Sequence, residues 1–463
     1  MTTVMWFRRD LRLADNPALR AAVDEASARG SGRVVPLFVL DPALWGPAGP
    51  SRRAYLAASL RDLGERIGGW QLRRGDPVDE VVQVARAADA SSVHIAADSG
   101  PYGSQRDQRV GPALAEHGIE LVRTGSPYAV TPGRVTKDDG TPYAVYTPFS
   151  RAWAEHGWRR PVGSPRGVNW ARPLASVDLP AAEPSAGTLL PAAGEATARR
   201  RWRAFLEDGV DGYRGDRDRP DLDRTSRMSV HLKWGEIHPR TMLADLADLG
   251  DLADQGSSAR QRGESLRSYR QELAWREFYA DVLWRRPDSA RDYLRAEFAG
   301  MSYARPGKQL AAWADGRTGF PIVDAGMRQL RREAWMHNRV RMIVASFLVK
   351  DLHVEWQHGA RHFLQWLVDG DLASNNHGWQ WVAGSGTDAA PYFRVFNPIT
   401  QGKKFDPDGA YVRRFVEELA DVDGSAVHEP WSLPGGPPNG YPLPVVDHKA
   451  ERADALARYQ ALR

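Results

Sequence analysis

Apolar positions in the first 125 residues alternate between two kinds of pattern. Short β-branched or aliphatic runs at 4–7, 34–40, 71–73, 93–96 and 120–122 have strand length, whereas 52–67 and 78–88 repeat their apolar residues with helical spacing. Asp76 followed by Pro77 predicts a helix start, a side-chain N-cap with proline at the first helical position. Five strands with four intervening helices predict a doubly wound, parallel five-stranded α/β sheet. No G-x-G-x-x-G follows the first strand, so a dinucleotide of the usual kind is not indicated there.

The alternation then stops. Six prolines fall between Pro161 and Pro191 among Gly, Ser and Ala, which predicts a long connector over the surface. From 196 onward helical periodicity dominates, with Leu266, Leu273 and Val282 marking one stretch and 323–330 another. Eleven of the 17 tryptophans lie beyond residue 200, so the second half is helical and rich in indole. The expected organisation is an α/β domain over 1–130, a linker over 131–195 and an all-helical domain over 196–463.

Composition narrows the class without changing this picture. A hydrophobic share of 42% and a charged share of 26% are those of a globular protein, and no apolar run approaches the roughly 20 residues of a spanning helix. Arg8 and Arg9 precede Asp15 and Asn16 where an export signal is apolar, so the N-terminus reads as a first strand. The chain has no cysteine, which excludes disulfides, thiolate metal sites and iron–sulfur clusters and suits a reducing cytoplasm. A net charge of +4 is compatible with nucleic acid but does not demand it.

The densest chemistry lies in 366–398, where Asp369, Asp371, Asn375, Trp379 and Trp381 crowd together. Buried indoles need a partner for their N–H, and buried carboxylates need one more urgently. A planar cofactor with polar edges would satisfy both. Residues 223–229 offer Thr225, Ser226 and Ser229 hydroxyls around Arg227, suited either to phosphate or to an ordinary N-cap loop. In 271–284, Glu272, Trp275, Arg276 and Tyr279 fall on one helical face, suited to stacking on a base or to a salt-bridged rim. In 335–342 a helix would put Trp335, Asn338, Arg339 and Met342 on one face and Arg341 on another. His358 and His362 have zinc-like i, i+4 spacing, but the Glu of H-E-x-x-H and a third ligand are missing, so no metal is expected. The glycines of AGSGTD (383–388) read as a turn.

Taken in order, WFRRDLRLADNPAL, TSRMS, WREFY, GRTGFPIVDAGMRQL, WMHNRVRM, DGDLASNNHGWQW and DAAPYFRVFNP resemble the photolyase–cryptochrome family across nearly the whole chain. The resemblance implies an α/β antenna domain joined to a helical domain that holds FAD, active as FADH⁻. It is strongest toward class I enzymes that repair cyclobutane pyrimidine dimers. Their lesion-contacting Glu, Trp, Asn, Arg, Met and Trp fall on Glu272, Trp275, Asn338, Arg339, Met342 and Trp381, and Asn375 takes the position opposite flavin N5. Six-four repair relatives carry a histidine pair where this chain has His337–Asn338, and His in place of Met342. Plant-type cryptochromes usually carry Asp in place of Asn375.

The same resemblance implies further roles. Tyr213, Thr225, Ser226, Arg227, Met228, Ser229, Tyr269, Arg276, Trp335, Arg341, Asp369, Gly370 and Asp371 would hold FAD, with Arg341 and Asp369 a charge pair against its ring. Arg217, Arg339 and Gln401 would meet the backbone of UV-damaged DNA, whose dimer is flipped out; photolyases are themselves a standard example of flipping enzymes. Trp379 and Trp356 match the inner two of the family's three electron-transfer tryptophans, and the outermost position is Tyr303. Residues 38–56 resemble members that bind 8-hydroxy-5-deazaflavin rather than methenyltetrahydrofolate, with Leu40, Asp41, Arg52, Asp98, Tyr102 and Lys233 lining the pocket; an empty site or a second flavin is the alternative. The implied protein is a monomeric, cytoplasmic light-driven lyase. The rival is a cryptochrome-type photoreceptor, disfavoured by Met342, by Asn375 and by a chain that stops soon after a last helix; a DASH-type single-strand enzyme is disfavoured by the full lesion set.

Overall fold

A computed structural model describes residues 1–28, 32–171, 175–251, 257–392 and 394–462. It divides into two compact units that are not contiguous in sequence. One comprises Met1–Pro184, Pro191–Asp211 and Ser226–Pro287; the other comprises Ser185–Leu190, Gly212–Thr225 and Asp288–Arg463.

The first unit is built on β1 (Thr2–Trp6), β2 (Arg33–Leu40), β3 (Gln71–Arg74), β4 (Ala90–Ile95) and β5 (Glu120–Arg123). All neighbours are parallel and the order is β3-β2-β1-β4-β5. Successive side chains leave a strand on opposite faces, and both faces are buried here. Val4, Trp6, Val35, Leu37 and Val39 pack on one side, and Met5, Phe7, Val34, Phe38 and Leu40 on the other. The Asp76 cap is formed as its sequence predicts: its carboxylate accepts the Val78 N–H at 2.8 Å, with Pro77 opening the Pro77–Ala87 helix. β4 starts three residues before the apolar run that marks it. Ser91 and Ser92 hide it, because their hydroxyls bond Glu25 at 3.0 and 2.7 Å instead of presenting apolar surface.

One feature of this unit departs from the pattern-based reading. The expected linker, 131–195, is not an unbroken connector, since Tyr146–His156, ahead of the proline-rich part, is a helix with Tyr146, Phe149 and Trp153 buried. These three recur at i, i+3 and i+7, a helical stripe that the surrounding prolines obscure. It packs on the 29-residue helix Ser257–Arg285, whose Glu277 accepts the Trp153 indole N–H at 2.6 Å and the Ala129 and Val130 N–H groups at 2.5 and 3.0 Å.

The second unit is helical. Pro321–Glu333, Asn338–Ser346, Trp356–Trp366, Leu372–Ala383 and His448–Gln460 enclose a core that contains Trp313, Phe347, Trp356, Phe363 and Trp379. The helix expected through WMHNRVRM starts only at Asn338. Ala334 sits at φ 48°, and His337 caps the new helix by accepting the Arg339 N–H at 3.2 Å. Trp335 therefore lies outside the helix and does not share a helical face with Asn338 and Met342. Much of GRTGFPIVDAGMRQL is scaffold. Fully buried Asp324 accepts the Thr318 N–H and hydroxyl, each at 2.7 Å, the Gly319 N–H at 3.0 Å and the Tyr441 hydroxyl at 2.6 Å. Gly319 (φ 79°) is required there, since a Cβ would lie 2.4 Å from the Leu443 backbone. Among the described residues no helix is long and apolar enough to cross a membrane.

Candidate cofactor and DNA-repair site

In the second unit the sequence-predicted residues gather around the segment 334–342. Arg341 donates from Nε to the Met336 carbonyl at 2.8 Å and from Nη2 to Asp369 at 2.8 Å. The Val368 N–H bonds the Ala334 carbonyl at 2.9 Å, which fixes Asp369 opposite Arg341. Asp371 caps Leu372–Ala383 by accepting the Ser374 N–H at 3.1 Å, leaving Gly370 in the tight link between the two acids. One turn into that helix, Asn375 donates to the Ala360 carbonyl at 3.1 Å and to Asn376 Oδ1 at 2.8 Å. With its amide nitrogen engaged twice, its oxygen is the end left to accept.

His337 receives the Arg339 N–H at Nδ1, so the neutral ring carries its proton on Nε2. Burial holds its pKa down at about 4, and buried Nε2 meets no protein acceptor. The Thr225 hydroxyl is likewise shielded from solvent without a protein partner. Buried polar groups normally find partners, so each of these two donors is open to a polar ligand.

Arg339 pairs with Asp218 at 2.9 Å and lies 4.6 Å over Phe405, on the Pro398–Phe405 helix that carries Gln401. Its Nη1 also approaches Met342 Sδ at 3.7 Å. Arg217, next to Asp218, lies 5.9 Å from the ring of buried Tyr213. The three predicted DNA-backbone residues thus belong to adjoining elements. Asp218 was not anticipated; it neutralises Arg339 until another anion competes. Trp381 is half-buried at the end of Leu372–Ala383, whose glycine-rich exit is the turn read from AGSGTD, with Gly384 at φ 83°. Trp379 is buried edge-on to Trp313 at 6.1 Å, and Trp356 is edge-on to Tyr293 at 6.3 Å, which stacks with Tyr303 at 6.2 Å.

Among the described residues His358 and His362 do not belong to a group of three ligands spaced for a metal. His358 accepts from Arg361 at 3.2 Å, and His362 packs against Trp313. Among the described residues the group spaced for a metal is His353, Glu451 and Asp454, and Asp454 is already paired to Arg458 at 2.8 Å.

In the first unit, Glu272, Trp275, Arg276 and Tyr279 form the half-buried face of Ser257–Arg285, while Leu273, Ala274, Glu277 and Phe278 face inward. One face of the Trp275 indole is covered by Tyr146, at 3.6 Å between centroids and 6° between planes, and the Tyr146 hydroxyl donates to the Gln271 carbonyl at 2.8 Å. Arg276 donates to the Pro127 carbonyl at 3.1 Å and lies 4.5 Å over Tyr128. The Ser226 and Tyr269 hydroxyls are 2.7 Å apart, and Arg201 donates to the Ser226 carbonyl at 2.8 Å. Arg227 adopts φ 53°, Met228 is buried, and Ser229 opens Ser229–Trp234.

The same unit holds a second cluster at the carboxyl ends of its strands. In β3-β2-β1-β4-β5 the chain reverses direction of growth at β1, and open α/β sheets bind ligands at such a switch point. Leu40 ends β2 and Asp41 caps the short helix Pro42–Trp45 that follows; Asp98 and Tyr102 follow β4. Tyr102 donates its hydroxyl to Asp41, and Arg106 approaches both Asp98, at 3.6 Å, and the Tyr102 ring, at 5.9 Å. Burial acts to raise the Asp98 pKa, but Arg9, Arg106 and Arg8 outweigh it and hold Asp98 below the usual carboxylate range. Arg52 lies on Pro50–Ile67 with Tyr55, which stacks at 6.0 Å on Trp234, the neighbour of Lys233.

An α/β unit with a polar cluster at its sheet's switch point and a helical unit with paired charges and unpartnered buried donors define the class of two-part α/β and helical proteins. Comparison with known proteins gives the family: residues 3–166 match the DNA photolyase family and residues 269–461 the FAD binding domain of DNA photolyase. The chain belongs to the DNA photolyase family. It is 42% identical over 474 residues to the deoxyribodipyrimidine photo-lyase of Streptomyces griseus, covering 99% of this chain and 98% of that one. The Escherichia coli enzyme of the same name is 37% identical, with 100% and 99% covered. Among solved structures, a class III photolyase from Agrobacterium tumefaciens superimposes with a TM-score of 0.90 at 36% identity, covering 100% and 97%. An archaeal photolyase from Sulfolobus tokodaii, described with two FAD molecules, gives 0.84 at 29%, with 100% of both chains covered.

The family implies FAD, and the donor set of the helical unit fits it. His337 Nε2 and the Thr225 hydroxyl supply unpartnered donors, Asn375 supplies an acceptor, and the Arg341–Asp369 pair offers both charges.

Proposed function

We propose that this protein is a light-driven DNA lyase that splits cyclobutane pyrimidine dimers, with FAD as its catalytic cofactor. End-to-end identity of 42% with the Streptomyces griseus deoxyribodipyrimidine photo-lyase carries the reading. When bound and reduced, the flavin supplies one photoexcited electron that opens the cyclobutane ring and then returns. The chain's part is position and electrostatics.

Arg341 and Asp369 hold the flavin ring between fixed charges, and Asn375 presents a neutral acceptor to it. Tyr213, Thr225 to Ser229, Tyr269, Arg276, Trp335, Gly370 and Asp371 are assigned to the rest of the cofactor. Trp275, backed by Tyr146, offers its remaining face to a flipped pyrimidine, and Trp381 is assigned to the same ligand. Glu272 hydrogen-bonds a pyrimidine edge, and Asn338 and Met342 complete the contacts. Arg217, Arg339 and Gln401 meet DNA phosphates, so affinity falls with salt. The class I assignment rests on this lesion set.

For the antenna, we assign Asp41, Tyr102, Asp98, Arg52 and Lys233 to 8-hydroxy-5-deazaflavin rather than methenyltetrahydrofolate, on the family resemblance of residues 38–56. We assign the α/β part, 1–130, to that antenna and 196–463 to FAD and DNA, in a monomeric cytoplasmic protein.

The test is direct repair. The flavin is reduced, an oligonucleotide with one thymine dimer is added, and recovery of thymine absorbance is followed in blue light and in darkness. Recovery in light alone is the expected result. No recovery with FAD bound and fully reduced overturns the reading and leaves a photoreceptor.

A further inference from the structure

A tyrosine that loses an electron becomes a very strong acid, so it is a usable electron donor only where a base takes its proton. A tryptophan radical cation is a weaker acid and keeps its proton where no acceptor faces its N–H. These rules separate the aromatic residues of the helical unit into two groups.

The Trp379 and Trp356 indole nitrogens are both buried, and neither has a protein acceptor. Packing holds the rings. Trp379 rests on Gly359, where a Cβ would lie 2.1 Å from the indole, and on Phe363 at 5.0 Å. A positive hole on either ring finds nowhere to release a proton and stays mobile. Trp356 is edge-on to Tyr293 at 6.3 Å. Tyr293 is 8% exposed, and its hydroxyl donates to Glu355 Oε1 at 3.1 Å. Tyr303 stacks on Tyr293 at 6.2 Å and 13°, and its hydroxyl meets the Tyr293 hydroxyl and the Phe298 carbonyl, the latter at 3.4 Å; an amide oxygen does not retain a proton, so Tyr303 reaches the Glu355 base only by way of Tyr293. Tyr303 occupies the family's outer position, yet Tyr293 has the base. Burial raises both phenols, that of Tyr303 to about 12, so neither ionises before oxidation.

We propose that Tyr293 is the electron donor that ends the Trp379–Trp356 chain, with Glu355 as its proton acceptor. The proposal rests on FAD occupying the helical unit, not on dimer repair. The oxidant is the photoexcited oxidised flavin, which takes one electron through Trp379 and Trp356. Trp356 is then refilled by one electron from Tyr293. The Tyr293 O–H bond breaks, its proton passes to Glu355 Oε1, and a neutral tyrosyl radical and a neutral carboxylic acid remain. Because the proton has left, return of the electron requires the proton to return as well, which holds the flavin reduced for longer.

The experiment is transient absorption and electron paramagnetic resonance on the oxidised holoprotein after a blue flash, with ring-deuterated tyrosine to identify the radical. The expected result is a neutral tyrosyl signal that deuteration narrows. Tyr293→Phe removes it at unchanged flavin content, and Tyr303→Phe retains it. Glu355→Gln keeps a hydrogen-bond acceptor but no base, and slows tyrosyl formation at least tenfold. A signal that survives Tyr293→Phe and disappears in Tyr303→Phe overturns the proposal, as does the absence of any tyrosyl radical while tryptophan radicals form. Dimer repair measured on the same preparations separates the two readings: a tyrosyl radical at 293 without repair sinks only the lyase assignment, and repair without that radical sinks only this one.

Discussion

Arg341 and Asp369 form an ion pair at 2.8 Å in which the carboxylate side chain is 1% exposed and the guanidinium 24%. The same guanidinium binds the Met336 carbonyl, so one side chain ties the cap of Asn338–Ser346 to the entry of Leu372–Ala383. Removing one partner of a buried pair costs more than the pair is worth, because the other charge is left in an apolar setting. Arg341→Ala is therefore expected to destabilise the flavin-free protein by about 3 kcal/mol and to lower flavin content. Arg341→Lys restores charge without the forked geometry and should recover stability in part. Urea melts of the apoprotein, read alongside flavin absorbance after purification, check both.

His377 makes stability depend on pH. It is 1% exposed, its ring bonds the Ala373 carbonyl at 2.8 Å and the Ser289 hydroxyl at 3.0 Å, and burial holds its pKa down at about 4. The folded value lies below the unfolded one, near 6.5. The unfolded chain therefore takes up a proton first as pH falls, so the stabilisation is complete above pH 6.5 and is lost toward pH 4. Between pH 7 and pH 5 this single group should remove about 2 kcal/mol. His337 adds a loss of the same sign. His377→Gln should flatten the slope by its own share in denaturant melts at the two pH values; an unchanged slope would remove His377 from the account.

How much of this was legible in the sequence depends on the kind of interaction. The parallel sheet was legible because both faces of β1 and β2 are buried and their apolar runs are nearly continuous. The Asp76 cap was legible because capping is local. Arg341 with Asp369, 28 residues apart, was reached only through family resemblance. No periodicity encodes a pair that forms when two helix entries meet. The Tyr146–His156 helix was hidden by the prolines around it, and the break at Ala334 by the good helix formers on either side. Glu277, Asp324 and Asp218 escaped notice altogether. A lone carboxylate in an amphipathic stretch looks like a solvated charge until its backbone donors, such as Ala129 and Val130 for Glu277, arrive from far along the chain.

The antenna assignment gives a prediction that leaves the catalytic flavin aside. Lys233 lies beside Trp234, which stacks on Tyr55, whereas Asp41 and Tyr102 are bonded to each other. Lys233→Ala should lower deazaflavin occupancy about tenfold without changing FAD absorbance, and Tyr102→Phe should act in the same direction. Reconstitution with the deazaflavin, followed by its fluorescence, measures occupancy. Unchanged occupancy in both variants, or uptake of a second FAD in its place, would refute the assignment.

Trp275 and Tyr146 give the sharpest prediction for lesion recognition. A parallel stack at 3.6 Å fixes the indole plane before any substrate arrives, so its second face is presented without further ordering. Aromatic pairs of this kind contribute about 1 kcal/mol beyond area burial. Tyr146→Leu keeps apolar bulk but frees the indole to tilt. It should weaken dimer-DNA binding about fivefold, in line with ~1 kcal/mol, while undamaged DNA binds as before. Glu272→Ala, on the same half-buried face, should lower dimer affinity and repair yield with FAD retained. If the two residues act on one flipped base, the double variant should lose less than the sum of the single losses. Fluorescence titration with dimer-containing and undamaged oligonucleotides decides it: equal losses on both DNAs would make Tyr146 a mere packing residue, and a selective loss on the dimer would make it the support on which recognition rests.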